Sequence, residues 1–242
     1  MLTIEPERLD LAPGSRLLDL GCGDGRHVRI TRYMKGVLGV GLDIGTEEVR
    51  KTKIALHELD AMPVEEGGTH EEAGAWGVVR GSGYELPFDD ASFDCIIISE
   101  VLEHLHEDDR ALDELSRVLR PGGVLAVSVP REGPEALCWL LSRQYRTSPG
   151  GHVRIYRRSA LRKKIERHGY SIYASHFAHG LHSPYWWLRC AVGLEKEHLW
   201  PVKIYHRLLV WDLMQRPWIT RALDRVLNPL VGKSVVFYAV KA

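Results

Sequence analysis

The sequence predicts an α/β fold in which helices cover both faces of a mainly parallel sheet. Three observations carry that reading. Short β-branched runs alternate with segments of helical period. Several of these runs are apolar throughout, as strands buried on both faces are. The first run, Leu17-Leu18-Asp19-Leu20, passes directly into the glycine-rich turn Gly21-Cys22-Gly23-Asp24-Gly25.

In chain order, strands are expected at Arg16–Leu20, Gly36–Leu42, Trp76–Arg80, Phe93–Ser99, Gly123–Val129, Tyr170–Ala178 and Ser234–Val240. Helices are expected at Gly25–Tyr33, Thr46–Asp60, Asp108–Leu119, Pro134–Tyr145 and Ser159–Arg167. The third has the clearest ends. Asp108 can cap its start, Arg117 and Arg120 suit its negative end, and Pro121-Gly122-Gly123 stops it. Residues 63–75 are acidic and contain glycine, which reads as a solvated loop.

Composition excludes several classes. The 242 residues are 45% hydrophobic and 26% charged, a balance that supports a sizeable core and argues against disorder. The four cysteines, Cys22, Cys95, Cys138 and Cys190, lie far apart and form neither a metal pair nor a secreted disulfide framework. No apolar run is long enough to span a bilayer, and the acidic N-terminus is unlike a signal peptide. A cytoplasmic protein is expected. Net charge is zero, yet residues 1–120 hold 13 basic and 25 acidic side chains against 19 and 7 in residues 121–242. That split can steer an anionic partner toward the second half, or the halves can simply neutralise each other.

The glycine turn carries the chemistry. Three glycines at alternate positions let the backbone turn tightly and approach a ligand closely. A second strand ends at Asp43, about 20 residues on, where an acid can accept hydrogen bonds from both hydroxyls of a ribose. A ligand containing a nucleoside follows. The spacing is GxGxG and departs from the dinucleotide fingerprint, and acidic Asp19 would repel a pyrophosphate but suit a cationic amine. S-adenosylmethionine has the amine, the sulfonium and the ribose, and no phosphate.

With these residues the chain resembles the class I S-adenosylmethionine-dependent methyltransferases, of the broad set that includes quinone-biosynthesis methylases. Further matches in family order are Gly81-Ser82-Gly83-Tyr84-Glu85-Leu86-Pro87-Phe88, Ser92-Phe93-Asp94, Glu100-Val101-Leu102-Glu103-His104 and Leu119-Arg120-Pro121-Gly122-Gly123. A looser one, Gly151-His152-Val153-Arg154-Ile155-Tyr156, follows. The resemblance implies a Rossmann-like sheet of seven strands with the last antiparallel, and S-adenosylmethionine across its C-terminal edge. It places Asp19 and Gly21 at the methionine end, Asp43 at the ribose, Ile44 on the adenine, and Cys22, Gly23, Ser82, Gly83 and Ser99 among the other cofactor-binding residues. Ser82 stands where the family often has an acid, and its hydroxyl can accept the same hydrogen bond.

Methyl transfer from a sulfonium is an in-line displacement, so positioning the acceptor supplies much of the catalysis. A base is needed only when the acceptor must lose a proton. Glu100 and His104 follow the fourth strand and His152 follows the fifth, which makes these three the candidate catalytic residues. His176, His179 and His182 are spaced by three, but a strand running into a loop does not put them on one face, so no metal site is expected. The basic run from Arg154 to Arg167 is either a solvated helix face or a contact for phosphate.

Residues 183–229 hold Trp186, Trp187, Trp200, Trp211 and Trp218, five of the seven tryptophans. They read as a helical insertion before the last strand of a single methyltransferase domain spanning residues 1–242, and as its substrate cover. Ile204, Leu208 and Trp211 form one apolar stripe, and Trp218, Ala222 and Val226 another, with Ile219, Leu223 and Leu227 beside it. Such stripes usually dock on the core. Tryptophan mixed with arginine and lysine also suits a membrane interface or a greasy ligand. The expected activity is methylation, at oxygen or carbon, of a small-molecule or lipid-like acceptor, with peripheral membrane contact. The alternatives are an RNA methyltransferase using the basic half, and a cofactor-binding protein of the same fold without catalysis.

Overall fold

The computed structural model describes residues 2–61, 74–148 and 150–242. Seven strands form one sheet: β1 (Arg16–Leu20), β2 (Leu38–Asp43), β3 (Ala75–Arg80), β4 (Phe93–Ser99), β5 (Leu119–Pro130), β6 (Tyr170–Ala178) and β7 (Ser234–Lys241). Their spatial order is β3-β2-β1-β4-β5-β7-β6. Strands β1 to β5 pair in parallel, and β7 runs antiparallel to both of its neighbours. The chain winds outward from β1 to β3 and then returns to the other side of β1 as β4. That reversal opens a crevice at the C-terminal ends of β1 and β4, where open α/β sheets bind ligands.

Alternation along the central strands sends side chains into two cores. Leu18, Leu20, Ile96, Ile98, Leu125, Val127 and Phe237 face one side, packed with Leu112 and Leu115 of α2 (Asp108–Val118) and Leu161 and Ile165 of α5 (Arg158–Arg167). Leu17, Cys95, Ile97, Ala126, Val236 and Tyr238 face the other, where Ile4 and Leu9 of the N-terminal segment cover them. Helix α1 (Thr46–Ala61) packs on β2 and β3.

Four expectations need correction. The helix expected at Gly25–Tyr33 is a short 3₁₀ segment, Val28–Tyr33, because Gly21, Gly23 and Gly25 all have positive φ and the chain turns repeatedly before it. The helix expected at Pro134–Tyr145 is two, α3 (Glu132–Leu141) and α4 (Arg143–Arg146), divided at extended Ser142, whose side chain accepts from Tyr145 N–H. Helix α2 stops at Val118, before the Pro-Gly-Gly sequence, because β5 already begins at Leu119. Asp108 starts that helix without capping it: its carboxylate takes Arg154 at 2.6 Å, Lys164 at 3.1 Å and the Tyr156 hydroxyl. The acidic stretch at 63–75 lies, apart from its last two residues, outside the described residues.

Between β6 and β7 stand α6 (His182–Val192), α7 (Trp200–Gln215) and α8 (Trp218–Val231). They build a small core of their own from Leu181, Tyr185, Val202 and Leu209. Of the apolar stripes, for which docking on the core is the usual expectation, Leu227 packs on this small core, but most positions point outward. Ile204, Leu208, Trp211, Trp218, Ile219, Leu223 and Val226 are exposed, Trp218 at 77%. No helix among the described residues is long and apolar enough to cross a membrane.

Candidate active site

The glycine turn lies where β1 ends. Gly21 N–H and Cys22 N–H both donate to the Leu42 carbonyl, at 2.7 and 3.0 Å, which ties the turn to the end of β2. Gly21 has φ +71°, and a Cβ on it would stand 2.3 Å from Val101 Cγ2. Only glycine fits there. A Cβ on Gly23 would meet nothing within 4 Å, so the turn faces open space at that point. Thr52 Oγ1 of α1 donates to the Gly23 carbonyl at 2.6 Å and anchors the turn from below.

Asp43 joins two loops. One carboxylate oxygen accepts from Gly23 N–H at 3.0 Å and the other from Gly45 N–H at 2.9 Å. Each oxygen keeps a lone pair for a ribose hydroxyl. Ile44 beside it is 69% exposed although strongly apolar, which suits a base lying on it. Arg80 Nε donates to the Ile44 carbonyl at 3.1 Å and fixes that loop. Ser82 Oγ accepts from Tyr84 N–H at 3.2 Å within a tight turn that also contains Gly83. The residues present fit an adenosine-type ligand: an open turn, a twin acceptor and an exposed apolar platform.

Asp19 departs from the expected direct contact with a ligand amine. It is 1% exposed, and its carboxylate accepts from Val28 N–H at 3.0 Å beneath the turn. Burial pushes its carboxyl up to about 7, with Asp43 adding to the rise, while the same burial pushes neighbouring His27 down to about 3. Cys22 lies buried beside them, its thiol pushed up to about 12 by burial and by Asp19. Below about pH 4 Asp19 is protonated whether the chain is folded or not. Between about 4 and 7 only the unfolded chain ionises, so stability declines as pH rises and the loss is complete above about 7. Three units correspond to roughly 4 kcal/mol. His27 acts in the opposite direction over much of the same range, so the Asp19 contribution is read as a difference: between pH 4.5 and pH 8, urea unfolding is expected to show Asp19→Asn gaining a few kcal/mol relative to the wild type.

Beyond β4 the crevice is polar. Ser99 and Ser128 hydroxyls stand 2.8 Å apart, and Ser128 Oγ donates to Glu100 Oε1 at 3.1 Å. Glu100 has φ +58°, a conformation rare outside glycine, and Lys233 Nζ lies 3.8 Å from its other oxygen. A 3₁₀ turn, Leu102–His104, follows. His104 Nδ1 bonds to the Gly151 carbonyl at 3.2 Å, and Val153 N–H donates to the Glu103 carbonyl at 2.9 Å. These two bonds bring His152 against His104, with ring centroids 4.9 Å apart. His152 Nδ1 lies 2.6 Å from Glu135 Oε1. Burial and the nearby His152 hold the His104 imidazole below its usual range.

The fold therefore brings together the three predicted catalytic residues, Glu100, His104 and His152, from two separate loops. Sequence reasoning missed their partners. Glu103 is 1% exposed, and burial followed by Glu100 raises its carboxyl well above the usual range. Glu135 also accepts from Trp139 Nε1 at 2.9 Å and from the Tyr145 hydroxyl at 3.3 Å. The one local signal was the i, i+4 spacing of Glu135 and Trp139 on α3. His176, His179 and His182 do not converge on one ligand position: His179 bonds to Thr3 Oγ1 at 3.0 Å, and His176 Nε2 to the Thr3 carbonyl at 3.2 Å.

A seven-stranded sheet of this order with its seventh strand reversed, opening at a glycine turn backed by an acid on the next strand, defines a Rossmann-like methyltransferase fold. The family described as "Methyltransferase domain" matches residues 18–127. The chain is 34% identical over 119 residues to the 27-O-demethylrifamycin SV methyltransferase of Amycolatopsis mediterranei, 49% of this chain and 40% of that one. It is 34% identical over 137 residues to the mitochondrial 2-methoxy-6-polyprenyl-1,4-benzoquinol methylase of Leishmania donovani, 55% of this chain and 46% of that one. The structure of an S-adenosylmethionine-dependent methyltransferase from Methanosarcina mazei superposes with a TM-score of 0.61 at 16% identity, covering 99% of both chains. The chain spans between 32% and 49% of the length of the curated relatives it matches. Residues 18–127 match that methyltransferase domain, and the fold around them is the Rossmann-like one seen in S-adenosylmethionine-dependent methyltransferases.

Proposed function

We propose that the protein transfers the methyl group of S-adenosylmethionine to an oxygen or carbon of a small, apolar acceptor, with residues 1–242 acting as one domain. The observation that carries this reading is the juxtaposition at the crevice: the Gly21–Gly25 turn and Asp43 at one end, and Glu100, His104 and His152 at the other. The cofactor supplies an electrophilic methyl on a sulfonium. Asp43 holds the ribose, Ile44 and Ser82 the adenine, and Gly21, Cys22, Gly23, Gly83 and Ser99 shape the space between them. Glu135 keeps a proton on His152 Nδ1, so Nε2 presents its lone pair and can accept the proton of an acceptor hydroxyl. Asp19 acts on the methionine end through the turn it supports.

Supplying labelled S-adenosylmethionine to a cell extract with the protein tests the proposal. Label is expected in material extracted into organic solvent and absent with Asp43→Ala. Label confined to RNA would replace the acceptor class, and no labelled product at all would overturn the enzyme reading.

A lipid-like acceptor and peripheral membrane contact are supported by α7 and α8. Lys203, Arg207, Arg216, Arg221 and Arg225 are exposed among the outward apolar side chains, whereas Asp212 is buried and Asp224 is half-buried, bonded to Leu181 N–H. Every exposed formal charge on α7 and α8 is positive, which fits an anionic lipid surface. The helices 183–229 would then cover an acceptor drawn from that surface. Sedimentation with phosphatidylglycerol vesicles is expected to carry the protein down, phosphatidylcholine vesicles much less, and Trp200→Ser with Trp218→Ser to weaken binding about tenfold or more. Equal binding to both vesicle types by both proteins would contradict the contact.

A further inference from the structure

We propose that Glu103, His104 and His152 form a site for a divalent transition-metal ion at the acceptor end of the crevice. This deepens the acceptor-side reading above, and rests on it only for what the ion would do there. Among the described residues this is the one place where three histidine, cysteine or carboxylate side chains each offer a ligand atom, all within 4.8 Å of one another. Nε2 of His104 and Nε2 of His152 each lie 3.9 Å from Glu103 Oε1. That is too far for a hydrogen bond. It is within a few tenths of an ångström of the roughly 3.4 Å that separates two ligands on a tetrahedral ion with bonds of about 2.1 Å.

The second observation is Glu103 itself. Its side chain is 1% exposed, and neither carboxylate oxygen has a hydrogen-bond partner. Burying a carboxylate without a partner is costly, and a cation between it and the imidazoles would supply one. The surroundings are already those of a metal site. Glu135 Oε1 at 2.6 Å from His152 Nδ1, and the Gly151 carbonyl at 3.2 Å from His104 Nδ1, place a proton on each Nδ1 and leave both Nε2 lone pairs free. The hydrogen bond from Val153 N–H to the Glu103 carbonyl clamps the two ligand-bearing segments together before any ion arrives.

Two imidazoles and one carboxylate select zinc or iron(II) over magnesium or calcium, which take oxygen ligands. Three protein ligands leave a fourth position open, and the His104 side chain is 37% exposed, so the opening meets the crevice. An acceptor hydroxyl entering that position would lose its proton to solvent and attack the methyl carbon as the carbon–sulfur bond breaks, its electron pair passing to sulfur. In the ion-free protein His152 takes that proton instead.

The test titrates the chelator-stripped full-length protein with Co²⁺, followed by its visible absorption, and displaces the Co²⁺ with Zn²⁺. One equivalent is expected to bind. Glu103→Gln and His152→Ala should each weaken binding at least 100-fold, and Glu135→Gln about tenfold. His104→Ala, an exposed position, guards against a variant that merely misfolds and should weaken binding comparably. Binding that is absent, or that is undiminished in Glu103→Gln and His104→Ala, would overturn the site. Calorimetry with S-adenosylmethionine on the same samples separates the two proposals: an ion bound without the cofactor defeats the methyltransferase reading alone, and the cofactor bound without an ion defeats this one alone.

Discussion

Asp43→Ala is expected to lower the affinity for S-adenosylmethionine at least 100-fold. The carboxylate accepts from Gly23 N–H and Gly45 N–H, and so sets the distance between the turn after β1 and the loop after β2. Its remaining lone pairs would take two ribose hydroxyls. A hydrogen bond to a charged group contributes roughly 1.5–3 kcal/mol, so losing two removes about 3 kcal/mol or more, and each 1.4 kcal/mol is tenfold in affinity. Alanine also strands two backbone N–H groups and loosens both loops. Asp43→Asn keeps one oxygen and should fall between the two. Calorimetric titration checks the series, and equal affinity across all three proteins would remove Asp43 from the site.

Gly21→Ala is expected to be the most damaging single change in the turn. The residue has φ +71°, which costs an L side chain roughly 1–2 kcal/mol, and its new methyl would overlap Val101 Cγ2 at 2.3 Å, an overpacking typically worth about 1–3 kcal/mol. A combined loss of about 3 kcal/mol lowers the melting temperature of a chain this size by roughly 6–12 °C. Gly23→Ala provides the contrast. It shares the positive φ, at +53°, but its Cβ enters open space, so only the backbone cost of about 1–2 kcal/mol applies. Adding Val101→Ala to Gly21→Ala should restore the steric part and leave the conformational part. Thermal unfolding of the wild type and these three variants reads this directly, and a Gly23→Ala as unstable as Gly21→Ala would refute the steric account.

The strands were legible because their chemistry is local. Arg16–Leu20, Phe93–Ser99 and Tyr170–Ala178 appear with the boundaries their apolar and β-branched runs suggest. The glycine turn was legible for the same reason, since the glycines and the two acids sit at spacings set by one strand–turn–helix unit and its neighbour. The missed features are tertiary. Periodicity shows that α7 and α8 have an apolar face but not which way it points, and here Tyr185, Val202 and Leu209 take the inner side while Trp211 and Trp218 are left outside. Glu103 and Glu135 gain their meaning only from the loop that carries His152, 49 and 17 residues further along the chain. The motif position of Asp19 suggests a direct partner for a ligand amine, but its burial beneath the turn depends on the packing of Val28 and is not written in the motif.

Crystals grown with S-adenosylmethionine would test the central claim most directly. The account predicts an adenosyl group whose ribose hydroxyls meet Asp43 and whose base lies on Ile44, with the sulfonium methyl directed toward the Glu103–His104–His152 end. A turn that stays empty under saturating cofactor, or that takes up a pyrophosphate nucleotide in its place, would contradict it.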